Sequence, residues 1–276
     1  MTIQELVPHL ACVEFGASTE LAGDRVLRCS RCGVQWTPVD GVFDLRPKVG
    51  LPLPRMYQDA DYQAWNRQLA RAQDYLYRAG PLVRWVQTAG HRAVGAMARA
   101  SPDALTLDLG CGDGGHWPYL WRPERTIGLD IDLPSLIKLR ARYPAALVVR
   151  GDCYRLPFAA ETFDRVINRY NAEHLVHLDF ALEEIGRVLK SGGDLFVSVP
   201  AEGGMGWVAG RRLTTARRLN GSTLNYLRAN AIDHCNCVWQ IEKALARHFR
   251  VARHALFPFG VPSYHLNLIV TWRLRK

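Results

Sequence analysis

Residues 105–115, LTLDLGCGDGG, join a short apolar run to a turn that contains four glycines. The apolar run is typical of a buried strand, which we expect to end at Asp108. Glycine has no Cβ and tolerates positive φ, so such a turn lets a ligand lie directly against the backbone. The spacing Gly110-x-Gly112-x-x-Gly115 also fits the fingerprint of dinucleotide-binding turns. The turn therefore predicts a nucleotide-like ligand without identifying it.

Asp108 narrows the choice of ligand. We expect its carboxylate to point into the crevice beside the glycine turn. A negative charge there would repel a pyrophosphate and attract a cation such as an ammonium or a sulfonium. The residues around the turn therefore favour a cationic ligand over a dinucleotide.

From residue 105 onward, strand-like and helix-like patterns alternate. Strands are predicted at 105–109, 125–131, 146–152, 162–170 and 194–200, and two strand-like runs, FRVARHALF and LNLIVTWRLR, end the chain. Helices are predicted from near Gly114 and at 135–143, 179–191 and around 236–249, the third of them stopped by Gly192 and Gly193. This alternation predicts an α/β fold with a Rossmann-like, seven-stranded, mostly parallel sheet and helices on both faces.

Three aspartates, Asp108, Asp130 and Asp152, close three successive strands at intervals of 22 residues. Because parallel strands end at the same edge of a sheet, we expect the three carboxylates to lie near one another. Asp130 is placed to accept both hydroxyls of a ribose, and Asp152 is placed to accept from an adenine amino group, with Cys153 against the ring. Isolated aspartates after strands are common in turns, but three in phase with a glycine turn indicate S-adenosylmethionine as the ligand.

The phrases LDLGCGDG, IGLDI, GDCYRLPFAAETFDRV and EIGRVLKSGGDLFVSVP resemble the class I S-adenosylmethionine-dependent methyltransferases. The resemblance covers residues 105–200 most closely. It implies that Asn168 lies beside the methionine part of the cofactor. The implied cofactor contacts are Asp108, Gly110, Cys111, Gly112, Asp130, Ile131, Asp152, Cys153 and Asn168.

Methyl transfer needs a general base only if the acceptor must lose a proton. Tyr170 and His174, in the phrase NRYNAEHL, are the candidates, and a packing role is the interpretation we favour for both.

Cys12 and the pair Cys29 and Cys32 resemble the small zinc ribbons that precede some bacterial methyltransferases, including rRNA guanine methyltransferases. A ribbon normally uses four ligands, and Phe15 stands where the second cysteine would be. Either His9 completes the set, or three cysteines bind zinc alone, or a ribbon without metal is held by its small core. The phrase His234-Cys-Asn-Cys237 is better explained as the start of a helix than as a second metal cluster.

The chain divides into three predicted parts. Residues 1–48 are a small zinc-ribbon-like β module, residues 49–100 are a linker and helical cap, and residues 101–276 are the methyltransferase domain. Within that domain, residues 201–232 form an insertion that caps the substrate. The pairs Arg211–Arg212 and Arg217–Arg218 there form either a basic stripe for an anionic acceptor or an ordinary solvated face.

Composition excludes several classes of protein. No apolar run reaches the length of a membrane span, and the first residues lack the pattern of a secretory signal. Seven cysteines are too sparse for a disulfide framework, which predicts free thiols and a cytoplasmic location. The net charge of +9 favours anionic partners. Nothing in the sequence specifies the oligomeric state.

The leading hypothesis is methyl transfer to a small molecule, anionic or lipid-like. The second is methylation of an rRNA or tRNA base, with the ribbon holding the RNA. The third is a partner protein that binds the cofactor without catalysis.

Overall fold

The computed structural model is dominated by an eight-stranded sheet. It describes residues 2–23, 26–52, 54–55, 59–60, 62–64, 80–99, 103–120, 122–213, 230 and 232–276. The sheet strands, in chain order, are β4 (Phe43–Asp44), β5 (Thr106–Leu109), β6 (Thr126–Asp130), β7 (Leu147–Arg150), β8 (Phe163–Arg169), β9 (Leu189–Pro200), β10 (Arg250–Phe257) and β11 (Ile269–Arg275). Their spatial order is β10-β11-β9-β8-β5-β6-β7-β4. All neighbours are parallel except the pairs β10–β11 and β11–β9.

The helices and the remaining strands surround this sheet. The helices are α1 (Ile3–Leu6), α2 (Pro81–Gln87), α3 (Ala89–Ala98), α4 (Leu133–Arg142), α5 (Leu178–Val188), α6 (Met205–Leu213) and α7 (Val238–His248). A separate antiparallel sheet contains β1 (Thr19–Ala22), β2 (Val26–Cys29) and β3 (Gln35–Trp36).

Alternating side chains of the central strands supply the two faces of the large sheet. Val166 of β8 belongs to the core cluster that also contains Ile185 of α5 and Ile241 of α7. Its neighbour Ile167 belongs to another cluster, with Val94 of α3. Because successive strand residues point to opposite faces, helices cover both sides of the sheet, and the predicted α/β Rossmann-like class is confirmed.

The sheet has eight strands rather than the predicted seven. The additional strand is β4, which pairs in parallel with β7 through Phe43 opposite Val149. The phrase VDGVFDLRP, which contains β4, is strand-like in sequence, but the sequence assigns it to the small N-terminal module rather than to the large sheet. The N-terminal segment therefore contributes one edge of the large sheet.

Two predicted local features are wrong. The helix expected from near Gly114 is a 3₁₀ turn at Trp117–Tyr119, because Gly114 adopts φ +69° and Pro118 follows closely. The helix expected to stop at Gly192 and Gly193 already ends at Val188, where β9 begins. The glycine pair lies inside β9, next to a register irregularity against β8, which is a common position for glycine in a strand.

The first residues of the chain pack into the main core. Leu10 forms an isolated antiparallel bridge with Phe158, and both side chains belong to the core cluster beneath α5 and α7. Leu27 of β2 lies in the same cluster. Among the described residues, no helix is long and apolar enough to cross a membrane.

This shared core predicts that Leu10→Ala weakens the whole fold. Leu10 is 2% exposed, and truncating such a leucine costs about 2–5 kcal/mol in the free energy of unfolding. Urea unfolding followed by circular dichroism measures this change. Val39→Ala, at a side chain that is 55% exposed, is the control and should change little. An effect of Leu10→Ala confined to a separate early transition would contradict the shared core.

Candidate functional site

The glycine turn lies at the carboxyl end of β5 and is held against β6. The backbone N–H of Gly110 donates to the carbonyl of Leu129 at 2.8 Å, and that of Gly112 donates to Oδ2 of Asp130 at 2.8 Å. Gly110 and Gly112 adopt φ +77° and +52°, where a side chain would be strained. A Cβ on Gly112 would meet no atom within 4 Å, so the turn faces open space.

Asp130 and Ile131 form one side of this space. Asp130 ends β6, and its Oδ1 accepts from the backbone N–H of Asp132 at 2.9 Å. Burial raises the pKa of Asp130, while the backbone donors lower it. Ile131 is 57% exposed, which leaves an apolar surface beside the carboxylate.

Asp152 follows β7 at the same edge of the sheet. Its Oδ1 accepts from the backbone N–H of Tyr154 at 2.9 Å. Cys153 lies beside it, and burial raises the pKa of its thiol. The structure therefore brings Asp130 and Asp152 to the ends of neighbouring strands, as the spacing predicts.

Cys111 lies within the turn but its side chain points away from the open space. The thiol is 1% exposed and packs in a core cluster with Leu136 and Leu139 of α4. A contact between Cys111 and a ligand in the crevice is therefore limited to its backbone.

Asp108 does not present a free carboxylate to the crevice, so the electrostatic argument made from the sequence was wrong. The side chain is 1% exposed. Its Oδ2 accepts from Nε2 of His116 at 2.7 Å and from Nε1 of Trp117 at 2.9 Å, and its Oδ1 lies 3.4 Å from Nη2 of Arg169. A carboxylate with these partners is already neutralised inside the protein.

Arg169 connects this carboxylate to α3. Its Nη1 donates to Nδ1 of His91 at 3.2 Å. Burial, and next the charge of Arg169, lower the pKa of His91 to about 3, so the imidazole is neutral and can accept this hydrogen bond. The group of Asp108, Arg169, His91, His116 and Trp117 forms a buried support behind the glycine turn.

Asn168 carries a side-chain oxygen that is buried near the end of β8. The residue is 2% exposed, lies opposite Leu109 at the end of β8, and its Oδ1 has no hydrogen-bond partner among the described residues. Such an atom is destabilising unless a ligand or water donates to it. Nearby, a Cβ on Gly110 would lie 2.8 Å from Cγ of Asn171, so the loop after β8 packs closely against the glycine turn.

Tyr170 is a packing residue in this structure. Its hydroxyl donates to the carbonyl of Gln87 at 3.1 Å, and its ring lies edge-on to His91 with centroids 5.4 Å apart. These contacts hold the hydroxyl against α2 and the ring against α3.

His174 belongs to a polar cluster that also contains Asp233 and His234. Its Nδ1 lies 2.7 Å from the backbone carbonyl and 3.5 Å from the carboxylate of Asp233. Burial alone would lower the pKa of His174, but the interactions with Asp233 and the charge of Glu173 outweigh burial and raise the pKa to about 9. His174 is therefore a cation at neutral pH.

Glu202, which follows β9, and Arg211 of α6 also contact this cluster. Nδ1 of His234 lies 3.1 Å from Glu202, and Nη2 of Arg211 lies 3.3 Å from Nε2 of His234. Arg211 also lies over the ring of Trp207, 5.0 Å from its centroid. Arg211 is thus not part of an ordinary solvated face, whereas Arg217 and Arg218 lie outside the described residues. Because the cluster already contains its own cations, we assign no metal to it.

The predicted cysteine cluster forms at the N-terminal sheet. The sulfur atoms of Cys12, Cys29 and Cys32 lie within 4.8 Å of one another, and His9 is not part of the group. Backbone N–H groups of Arg31 and Cys32 each point at Sγ of Cys29 from 3.4 Å. Phe15 is exposed, with the guanidinium of Arg31 5.2 Å from its ring centroid. Cys235 and Cys237 do not join His234 in a ligand cluster of the described residues.

Sequence reasoning missed several residues of the site. Glu202 follows the end of β9, much as Asp130 ends β6. A search for acidic residues at the carboxyl ends of predicted strands would therefore have found it. Arg169, His91 and Asp233 gave no such signal, because their partners come from distant parts of the chain.

The chain was compared with known proteins. Residues 107–197 match the sequence profile of a family described as "Methyltransferase domain". This part of the chain is similar to that family. Its matched region spans only about a third to a half of the length of the curated relatives below.

Curated proteins are similar to the same part of the chain. A phthiotriol/phenolphthiotriol dimycocerosates methyltransferase of Mycobacterium leprae is 42% identical over 95 residues, which cover 32% of this chain and 35% of the relative. A demethylmenaquinone methyltransferase of Streptomyces griseus is 33% identical over 107 residues, which cover 38% of this chain and 46% of the relative.

Solved structures agree in fold. The N-methyltransferase NodS of Bradyrhizobium japonicum, in complex with S-adenosylhomocysteine, aligns with a TM-score of 0.52 at 16% identity and covers 79% of this chain and 99% of NodS. The [4+2]-cyclase SpnF aligns with a TM-score of 0.50 at 17% identity and covers 70% of this chain and 82% of SpnF. At these identities the chain shares their fold, and the fold alone does not assign a reaction.

The polar cluster predicts an unusual titration of His174. In wild-type protein, its imidazole should titrate near pH 9 by NMR, and Asp233→Asn should lower this pKa because one negative charge is removed. The folded-state pKa lies above the ordinary value of 6.5, so the stabilising contribution of His174 is fully present below pH 6.5 and is lost as pH rises through about 9. Asp132→Asn, at an exposed carboxylate elsewhere, is the control. An equal shift in both variants would contradict the assignment.

Proposed function

We propose that the chain is an S-adenosylmethionine-dependent methyltransferase acting on a small, lipid-like acceptor. The observation that carries the proposal lies at the carboxyl edge of the sheet. There the open glycine turn, the Asp130 carboxylate and the buried oxygen of Asn168, which has no hydrogen-bond partner in the described part of the chain, lie within the region that matches the methyltransferase family.

The residues of this edge fit the cofactor. Open space over Gly112 allows a ligand to lie against the backbone, and Asp130 retains acceptor capacity for ribose hydroxyls. Oδ1 of Asn168 can accept from the ammonium of a bound methionine moiety, which would satisfy this buried oxygen. Ile131 offers an exposed apolar surface for a flat ring. When bound, the cofactor supplies an activated methyl group on a sulfonium.

Asp108 has a positioning role in this proposal. Its carboxylate orients Trp117 and His116, which directly follow the glycine turn, and it fixes Arg169 next to Asn168. The cationic ligand therefore interacts with the carboxylate of Asp130 and the side-chain oxygen of Asn168, and it does not contact Asp108.

In this proposal the methyl acceptor binds beside the loops that follow β8 and β9, which contain His174 and Glu202. His174 is protonated at neutral pH because of its raised pKa, so it is unsuited to remove a proton from the acceptor. Positioning of the acceptor then carries most of the rate enhancement, as expected for in-line methyl transfer. The lipid-like class is supported by the relatives, whose names give dimycocerosate lipids and demethylmenaquinone.

Cofactor binding is the first test. Asp130→Ala should lower the affinity for S-adenosylmethionine about tenfold to a hundredfold in calorimetry, because hydrogen bonds to a charged group are lost. Asp164→Asn, a carboxylate near the amino-terminal end of β8, is the matched control and should leave the affinity unchanged. Absence of binding by the wild type would refute the proposal.

The acceptor class is tested with radiolabelled S-adenosylmethionine on cell extracts separated into lipid, other small-molecule, RNA and protein fractions. We expect label in the lipid fraction. Label in RNA alone would establish the second hypothesis, RNA methylation, in place of the first. Cofactor binding with no label transferred to any fraction would favour a partner protein without catalysis.

We also propose that Cys12, Cys29 and Cys32 bind Zn²⁺ as three thiolates. Their sulfurs are close enough to share one ion, and two backbone N–H groups at Cys29 resemble donors to a metal-bound thiolate. No fourth cysteine, histidine or carboxylate joins the group in the described part of the chain. Three thiolates suit zinc, which usually has four ligands. In this proposal the fourth ligand does not come from the described residues.

Metal analysis of the purified chain tests this site. We expect about one zinc ion per chain, and Cys32→Ser should remove most of it because only two thiolates remain. Cys237→Ser, which lies outside the cluster, should leave the zinc content unchanged. A wild-type protein without zinc would show that the ribbon is held by its core alone.

A further inference from the structure

The excess of basic over acidic residues lies in three segments of the chain. Residues 80–99, 203–213 and 243–276 contain 12 of the 35 lysine and arginine residues and none of the 26 aspartate and glutamate residues. The remainder of the chain therefore has 23 basic and 26 acidic residues. The net charge of +9 thus arises from these segments, while the rest of the protein is weakly acidic.

The three segments are neighbours in space. Trp85 of α2 lies edge-on to Phe257 at the end of β10, with ring centroids 4.5 Å apart. The backbone N–H of Gly206 in α6 donates to the carbonyl of His265 in the β10–β11 hairpin at 2.8 Å. The hairpin therefore contacts both α2 and α6, and we call the surface formed by α2, α6 and residues 253–266 the basic apolar face. Arg247, Arg273, Arg275 and Lys276 of the third segment lie outside this face and pair with Asp179, Asp194 and Glu161.

The same face exposes large apolar side chains. Of the fifteen large hydrophobic residues that are exposed in the described part of the chain, seven lie on this face: Leu82, Trp85, Met205, Val208, Phe259, Val261 and Leu266. Leu82, Met205 and Phe259 are each about 70% exposed. The helix α2, with sequence PLVRWVQ, has no buried residue although most of its residues are apolar. Exposed apolar side chains grouped in this way mark an interaction surface.

Exposed arginines lie among these apolar side chains. Arg84 belongs to α2, Arg212 to α6 and Arg253 to β10, and all three are exposed. A nucleic acid would account for the arginines but not for the exposed Leu82, Met205 and Phe259. An anionic bilayer accounts for both, because its headgroups attract arginine and its acyl boundary accepts apolar side chains.

We propose that the basic apolar face binds the surface of an anionic lipid bilayer. The hairpin and the helices α2 and α6 would lie in the interface, with Phe259, Leu82 and Met205 inserted below the headgroups. Because α6 begins three residues after Glu202 at the carboxyl end of β9, the bound membrane would adjoin the edge of the sheet that holds the candidate site. This interaction needs neither cofactor nor catalysis and stands apart from the proposed activity.

Flotation of the full chain with lipid vesicles, in the absence of S-adenosylmethionine, tests the proposal. We expect binding to vesicles of mixed phosphatidylcholine and phosphatidylglycerol, weakened by salt, and little binding to phosphatidylcholine alone. Phe259→Ser should lower the partition coefficient about tenfold, because one buried aromatic ring is lost. Arg253→Gln should lower it about fivefold.

Phe180→Ser is the matched control. Phe180 is also exposed, at 53%, but it lies on α5 next to Asp179 and outside the basic apolar face, so its loss should leave vesicle binding unchanged. Circular dichroism of each variant confirms that the fold is retained.

Three outcomes would overturn the proposal. The first is equal or absent binding to both kinds of vesicle. The second is an equal effect of Phe180→Ser and Phe259→Ser. The third is displacement of the chain from vesicles by an rRNA fragment whose own binding needs Arg253 but not Phe259, which would identify a nucleic-acid surface instead.

Discussion

The ion pair between Asp108 and Arg169 is the interaction on which the rest of the site depends. It joins the ends of the two central strands β5 and β8 and has almost no contact with water. Removing one partner of such a pair leaves an uncompensated buried charge, which costs about 3–5 kcal/mol. The donors His116 and Trp117 share the carboxylate, so the segment after the glycine turn is held by the same group. The position of the glycine turn that lines the crevice is therefore fixed by buried residues that do not themselves line the crevice.

The fold could be predicted from the sequence because its central strands are buried on both faces. Near-continuous apolar runs, separated by helical periodicity, are sufficient to indicate a parallel sheet. The positions of Asp130 and Asp152 followed from the same regularity, since each carboxylate stands at the end of a strand. Two local predictions failed. The strand-like phrase that contains β4 was assigned to the N-terminal module but joins the large sheet, and Gly192 and Gly193 indicated a helix end but lie in a strand irregularity.

The electrostatics of the site could not be predicted in the same way. Asp108 was correctly placed at the edge of the sheet, but its partner Arg169 comes from a strand 61 residues later in the chain. The cluster around His174 likewise depends on Glu202 and Asp233, which belong to two other segments. Charges are neutralised by whatever lies nearby in three dimensions, and a single sequence carries no periodic signal for such encounters.

The pairing of β4 with β7 has a consequence for how the chain is made. Nη1 of Arg150 donates a hydrogen bond to Oδ2 of Asp44 in β4 at 3.0 Å. Nε of the same arginine donates to the backbone carbonyl of Ile131 at 2.9 Å. During synthesis the N-terminal segment leaves the ribosome about a hundred residues before β7, a delay of roughly 5–20 s at ~5–20 residues per second. For that interval the strand with which Phe43 pairs has not been made, and the crevice beside Ile131 is completed only when this earlier segment pairs with the later strand β7.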